Sequence, residues 1–308
     1  MSLLSLRDVS LAHPRGPRQP PDLEGLSLDI EAGDQLALLG ESGSGLSLLA
    51  SHLLGARDAP PLLRGEVSFD AGEAGRLQPR QLAKLKHGGI AALTTRVGQG
   101  FDPARSLGRQ IKGQRGDVVE RLKSFGVAQA QKTMATRVSG LEPRVLARAA
   151  LAAALARGPR MLLVDALSTT DPIAMADQMM LLRQQCRASR IALLLLTRQP
   201  ALAAEMTDRI VILYAGQMVE DAPAREAIRK PRHPYTAALI RSLPERTLPH
   251  TPLAELSGEA PLASALPRGC RFHPRCAHAL AGCYLEPPGM TAEGNRRFTC
   301  NWPLEVGE

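Results

Sequence analysis

Gly40-Glu41-Ser42-Gly43-Ser44-Gly45-Leu46-Ser47 follows the apolar run Gln35-Leu36-Ala37-Leu38-Leu39 and precedes apolar residues at helical spacing from Leu46 to Leu54, closed by Gly55. Strand, glycine-rich turn and helix in that order make a phosphate-binding loop, whose glycines let the backbone curl so that its N–H groups face an anion. The pattern G-x-x-x-x-G-K-[ST] also asks for a lysine to reach the β- and γ-phosphates and a hydroxyl to hold magnesium. Every position is filled except the lysine, which here is Leu46. Gly40, Glu41, Ser42, Gly43, Ser44, Gly45 and Ser47 are therefore the candidate nucleotide-binding residues. The loop keeps its shape and lacks its main cation.

A second motif lies downstream. Met161-Leu162-Leu163-Val164-Asp165 is an apolar strand ending in the carboxylate that would face nucleotide-bound magnesium. The next residue, where a catalytic Glu commonly polarises the attacking water, is Ala166. Ile191 to Thr197 reads as a further strand, and Leu26-Ser27-Leu28-Asp29-Ile30 alternates as in an antiparallel β lobe. Residues from about 80 to 160 are rich in Ala, Leu, Arg and Gln at helical spacing. Alternating strands and helices predict an α/β layered domain to about residue 230. From about residue 231 prolines become frequent and four of the five cysteines gather, which predicts a small appended domain outside the sheet.

The bulk composition fits this picture. The 308 residues are 44% hydrophobic but only 3% aromatic, so the core must be built from Leu, Ala, Val and Ile. The net charge of +8 is spread along the chain, and the few aromatics offer little base-stacking surface, which argues against nucleic acid. No apolar run approaches the ~20 residues that a membrane span needs. The first residues show no basic region followed by an apolar core, so no signal peptide is expected.

With these motifs placed, the chain resembles the ATP-binding subunits of ABC transporters of the oligopeptide/dipeptide branch. The likeness runs through Gly40 to Ser47, Arg160 to Asp165 and Val211-Ile212-Leu213-Tyr214-Ala215-Gly216-Gln217. Two stretches are similar to hallmarks of the branch, His233-Pro234-Tyr235-Thr236-Ala237-Ala238-Leu239-Ile240 and Gly269-Cys270-Arg271-Phe272-His273-Pro274-Arg275-Cys276. The resemblance implies a RecA-like core with an antiparallel β lobe over residues 1–230, a helical subdomain at about 80–160, and a C-terminal domain over 231–308.

Departures from the family pattern matter as much. The family's L-S-G-G-Q signature, which meets the partner subunit's nucleotide, aligns without gaps on Leu141-Glu142-Pro143-Arg144-Val145; Val138-Ser139-Gly140 is the gapped alternative. On the gapless alignment Glu142 brings a negative charge and Pro143 removes an N–H donor, while Arg148 stays in register. The switch His aligns with Arg198 after Thr197, the coupling Gln falls near Thr95 with Gln99 close by, and His13 is the candidate for stacking on adenine. Leu46, Ala166 and Arg198 thus mark the degenerate catalytic positions, and weak or absent binding of ATP and magnesium is expected.

Cys270, Cys276, Cys283 and Cys300 are spaced C-x5-C-x6-C-x16-C. By spacing alone, four thiolates suit a [4Fe–4S] cluster or a tetrahedral zinc, and His273 and His278 between them read as solvated loop residues. The resemblance favours the iron–sulfur cluster, as a staple for a tail with little apolar core. Cys186 sits on a helical pattern and reads as a core residue.

The family likeness implies a subunit that pairs with a sister ABC ATPase and docks on two permease subunits at the cytoplasmic face of the inner membrane, served by a periplasmic peptide-binding protein. The missing groups argue that its own loop does not hydrolyse ATP. Two rival readings stand beside this: an active ATPase with non-standard catalytic residues, and a stand-alone iron–sulfur or nucleic-acid-binding protein on an ATPase scaffold.

Overall fold

The structure, a computed structural model, describes residues 2–13, 20–56, 58–70, 81, 89–94, 101–111, 115–166, 172–243, 256 and 258–305. Strands β1 (Ser2–Leu11), β2 (Leu23–Glu31) and β4 (Leu62–Phe69) form an antiparallel sheet in the order β2-β1-β4. Leu26, Leu28 and Ile30 alternate inward along β2, as a half-buried strand requires.

The larger sheet runs β10-β11-β9-β8-β3-β7-β6-β5. Its parallel part comprises β8 (Arg209–Tyr214), β3 (Gln35–Gly40), β7 (Ala192–Thr197), β6 (Met161–Asp165) and β5 (Ile90–Thr94). These strands are near-continuous apolar runs because both faces are covered. Along β3 the side chains alternate between two clusters. Leu36 and Leu38 join the antiparallel lobe and helix α1 (Leu46–Leu53). Ala37 and Leu39 join the helical side. That side carries the short helix α2 (Leu107–Gln110), α3 (Arg115–Ser124), α4 (Ala130–Ala135), α5 (Pro143–Leu155) and α6 (Pro172–Ala188). Cys186 on α6 is fully buried there, and burial pushes its thiol up to about 12, as suits a core residue. Helix α7 (Pro200–Met206) follows β7.

Two expectations are corrected. The stretch read as helical, 80–160, contains β5, an edge strand paired with β6 through Ile90↔Met161 and Thr94↔Asp165. The tail, expected to stand outside the sheet, extends it. After β9 (Gln217–Pro223), α8 (Ala224–Arg229) and α9 (Pro234–Arg241), strands β10 (Thr291–Glu293) and β11 (Arg296–Phe298) form a hairpin, and β11 pairs with β9 through Phe298↔Glu220.

His233 caps α9: its buried Nδ1 accepts from Tyr235 N–H at 3.0 Å. Burial lowers its pKa from 6.5 to about 3, so the folded protein holds it neutral. The unfolded chain takes up this proton below about 6.5, so the stabilisation is complete above that value and is lost as pH falls toward 3. His233→Asn, which keeps an N-cap acceptor but cannot titrate, is expected to flatten the melting temperature against pH in this window. An unchanged slope would show that other groups carry the acid sensitivity.

Candidate functional site

The parallel strands all end at one edge, where Gly40 pairs with Leu213, Leu39 with Thr197 and Asp165 with Leu196. In α/β sheets ligands bind outside the carboxyl ends of the strands, where successive connections depart to opposite faces. β3 sits in the middle of this edge, and the loop 40–47 caps it.

Gly40 has no room for a side chain, because a Cβ would lie 2.6 Å from the Leu213 carbonyl oxygen and 2.8 Å from Ser44 Cβ. Gly45 caps α1 at φ 89°, and a Cβ there would meet Leu23 at 3.0 Å. The turn is closed by Ser44 N–H donating to the Glu41 carbonyl at 3.2 Å. Ser47 stands exposed in the first turn of α1. Leu46 is only 3% exposed and joins the apolar cluster that includes Leu23 and Leu49.

A pocket of about 860 Å³ opens over the loop, lined by residues 41–48, His13, Asp22, Arg198, Leu256, residues 258–263 and Arg275. That volume lies within the range of small-molecule sites. His13, the sequence candidate for adenine, stands in the wall, with its backbone N–H donating to Asp22 at 2.9 Å and Nδ1 3.2 Å from the same carboxylate oxygen. Arg198 also reaches the pocket. Its neighbour Thr197 is fully buried and accepts from Gln199 N–H at 3.1 Å.

Other predicted residues fall elsewhere. Asp165 ends β6, two strands away from β3, and is not among the pocket-lining residues. Ala166 is 2% exposed, in the core on the helical side, and its N–H donates to Leu196 at 2.9 Å. A carboxylate at this position would have to displace that packing. Val138-Ser139-Gly140 forms a single 3-10 turn, whereas Glu142 is the N-cap of α5 and Pro143 opens it. Pro143 thus removes an N–H from the exposed end of the helix, where an anion would be met. Arg148 lies further along the same helix. Thr95 and Gln99 lie outside the described residues.

The cysteine expectation is corrected. Among the described residues, which include Cys270, Cys276, Cys283 and Cys300, no three His, Cys, Asp or Glu side chains are grouped to hold a metal ion, so neither the [4Fe–4S] cluster nor zinc has a site. All four are free thiols. Burial raises the thiols of Cys270 and Cys276, and raises that of Cys300 to about 11. His273 donates from Nδ1 to the Cys270 carbonyl at 2.8 Å and packs on Tyr284, while His278 is exposed.

Sheet pairing, aromatic packing and ion pairs fasten the tail instead. Phe272 is 2% exposed and sits edge-on to Tyr214 and Tyr235, with ring centroids 5.2 and 5.3 Å away. Arg271 pairs with Glu24 and donates to the Ala215 carbonyl. Arg275 pairs with Glu41 of the loop. The sequence reading missed Asp22, Arg275, Leu256 and residues 258–263 as parts of this site. Arg275 was in view within a quoted stretch, but no local pattern signals a partner 234 residues away.

The fold matches solved structures. The ATP-binding cassette MJ0796 in a dimeric post-hydrolysis state bound to ADP and Pi matches with TM-score 0.57 at 22% identity, over 72% of this chain and 99% of that one. CbiO1 of Clostridium perfringens, part of the ABC transporter complex CbiONQ, matches with TM-score 0.61 at 19% identity, over 73% and 90%. The fold is that of an ABC ATPase cassette.

The relatives by sequence are more specific. The ABC transporter family model matches residues 23–168, and the model of the oligopeptide/dipeptide transporter C-terminal region matches 219–283. The peptide transport system ATP-binding protein SapD of Escherichia coli is 30% identical over 99% of both chains. The dipeptide transport ATP-binding protein DppD of Haemophilus influenzae is 29% identical over 99% of this chain and 96% of its own. The chain belongs to the oligopeptide/dipeptide family of ABC transporter ATP-binding proteins. These relatives, each named for binding ATP, overturn the expectation that nucleotide is bound weakly or not at all.

Proposed function

We propose that this chain is the ATP-binding subunit of a peptide transporter that binds nucleotide on its phosphate loop and does not hydrolyse it there. The observation that carries this reading is Leu46, which lines the pocket where the loop's lysine belongs and is nevertheless 3% exposed in an apolar cluster. Backbone N–H groups of the loop, the Ser47 hydroxyl and the α1 N-terminus supply anion and magnesium contacts without it. Asp165, which ends β6 at the same carboxyl edge of the sheet but outside the pocket lining, would supply the carboxylate for the magnesium shell. The cation, water-polarising and switch functions are absent at Leu46, Ala166 and Arg198. Removing one preorganised group lowers a rate by about 10²–10³, and these act on one transition state.

In this reading residues 1–230 form the cassette, and 231–308 form the C-terminal region of the oligopeptide/dipeptide transporter type. Among the described residues no helix is long and apolar enough to cross a membrane. Membrane contact then comes through two permease subunits, at the cytoplasmic face of a bacterial inner membrane. A sister ATPase supplies the power stroke, and a periplasmic protein delivers peptide.

Titration of fluorescent ATP with magnesium into the purified chain tests the proposal. Saturable binding that Ser47→Ala weakens at least tenfold is expected, with steady-state turnover at background. No saturation up to millimolar ATP would overturn the binding claim. Turnover that Ser47→Ala abolishes would overturn the inactivity claim and favour an ATPase that uses Arg198 as a substitute cation.

A further inference from the structure

We propose that Arg275 is a positioning residue of the phosphate loop, so that the C-terminal tail is a working part of the nucleotide site. This rests on reading the loop as that site. Glu41 is the first residue after the strand, where the chain leaves the sheet and begins to curl. Arg275 grips it from the tail with both ends of its guanidinium, Nη1 2.9 Å from Oε2 and Nη2 3.4 Å from Oε1. The same side chain donates to the Tyr214 hydroxyl and the Leu256 carbonyl, each at 3.3 Å, and lies 5.7 Å from the centre of the Tyr214 ring. It is 6% exposed, while Glu41 is 28% exposed.

A planar fork with five donors suits this task, because it fixes direction as well as charge. Beneath it the rings of Tyr214 and Tyr235 pack at a 53° tilt with centroids 4.5 Å apart. Glu41 is therefore held by the tail, through an arginine that also rests on Tyr214 at the end of β8.

Two consequences follow for an anion entering the pocket. Gly43 and Gly45, both at positive φ, give the loop conformational freedom that binding must otherwise remove. Fixing Glu41 removes part of that freedom beforehand. Arg275 also neutralises a carboxylate that lines the pocket and would repel phosphate.

The test uses the full chain in four forms: wild type, Arg275→Gln, Arg275→Lys and Arg275→Gln/Glu41→Gln. Amide hydrogen exchange over residues 41–47 is read without nucleotide, alongside fluorescent magnesium-ATP affinity and melting temperature. Arg275→Gln is expected to speed loop exchange and weaken ATP binding by about tenfold. Arg275→Lys should recover part of both, and the double variant should recover part of the affinity but no loop protection, since it removes the repulsion without restoring the grip. A lower melting temperature with unchanged loop exchange and affinity would overturn the inference and leave Arg275 a tail fastener. If wild type fails to bind ATP, the functional reading fails, and loop exchange still decides the positioning role.

Discussion

Leu46→Lys is expected to raise affinity for magnesium-ATP by about tenfold to a hundredfold while turnover stays at background. The range is that of one hydrogen bond to a charged group in a partly enclosed site, about 1.5–3 kcal/mol. Leu46 both lines the pocket and packs in the cluster with Leu23 and Leu49, so a lysine stem can occupy the apolar position with its ammonium in the pocket. The variant should therefore fold, at a modest cost from lost packing. Leu46→Met preserves volume without charge and should leave affinity unchanged, which separates the cation from any repacking. Turnover stays low because Ala166 and Arg198 still lack the carboxylate and imidazole of an active site. Isothermal titration and a coupled ATPase assay read the two quantities. A folded Leu46→Lys protein with wild-type affinity would mean that phosphate does not sit against this loop.

This site was legible in the sequence to the extent that local chemistry demands a local pattern. The run from Gln35 to Gly55 announces strand, turn and helix because phosphate loops need glycine at crowded positions, as the 2.6 Å approach at Gly40 shows. Asp165 at the end of β6 was readable for the same reason. β5 was not, since five residues with three small or polar ones sit within an alanine-rich, helix-like stretch. Nor were β10 and β11, three residues each, with Arg296-Arg297 where an apolar alternation would be sought. The place of β11 is set by ion pairs to β9, and that of β10 by its pairing with β11, which no window of sequence contains. The cysteines failed in the opposite sense. A suggestive spacing invited a metal site that the described residues of the tail do not assemble, and the residue between them that matters most for the pocket is Arg275.

Glu220→Ala is expected to cost about 3–5 kcal/mol, the loss associated with breaking a buried ion pair by removing one partner. Glu220 on β9 is fully buried and accepts from Arg232 N–H at 2.9 Å, His233 N–H at 3.0 Å and Arg296 Nη2 at 2.8 Å. Its removal strands two backbone donors and takes the close carboxylate from a guanidinium that is 8% exposed, leaving it the Lys230 carbonyl at 2.6 Å and the Glu226 carboxylate at 3.7 Å. Asp221, the next residue along β9, makes the complementary clamp. It takes Arg209 of β8 in a double 2.7 Å grip and Arg297 of β11 at 2.5 Å. Successive residues of a strand point to opposite faces, so the two carboxylates tie the tail down from both sides. Glu220→Ala/Arg296→Met, which removes the stranded charge with its partner, should regain part of the loss. Thermal and urea melts of the three proteins measure this, with the single variant lowered by about 10 °C. A loss below about 1 kcal/mol would show that the hairpin and the aromatic cluster hold the tail without this pair. With the full loss, the site that Arg275 reaches is anchored through Glu220, and loosening the tail there should also weaken nucleotide binding at the loop.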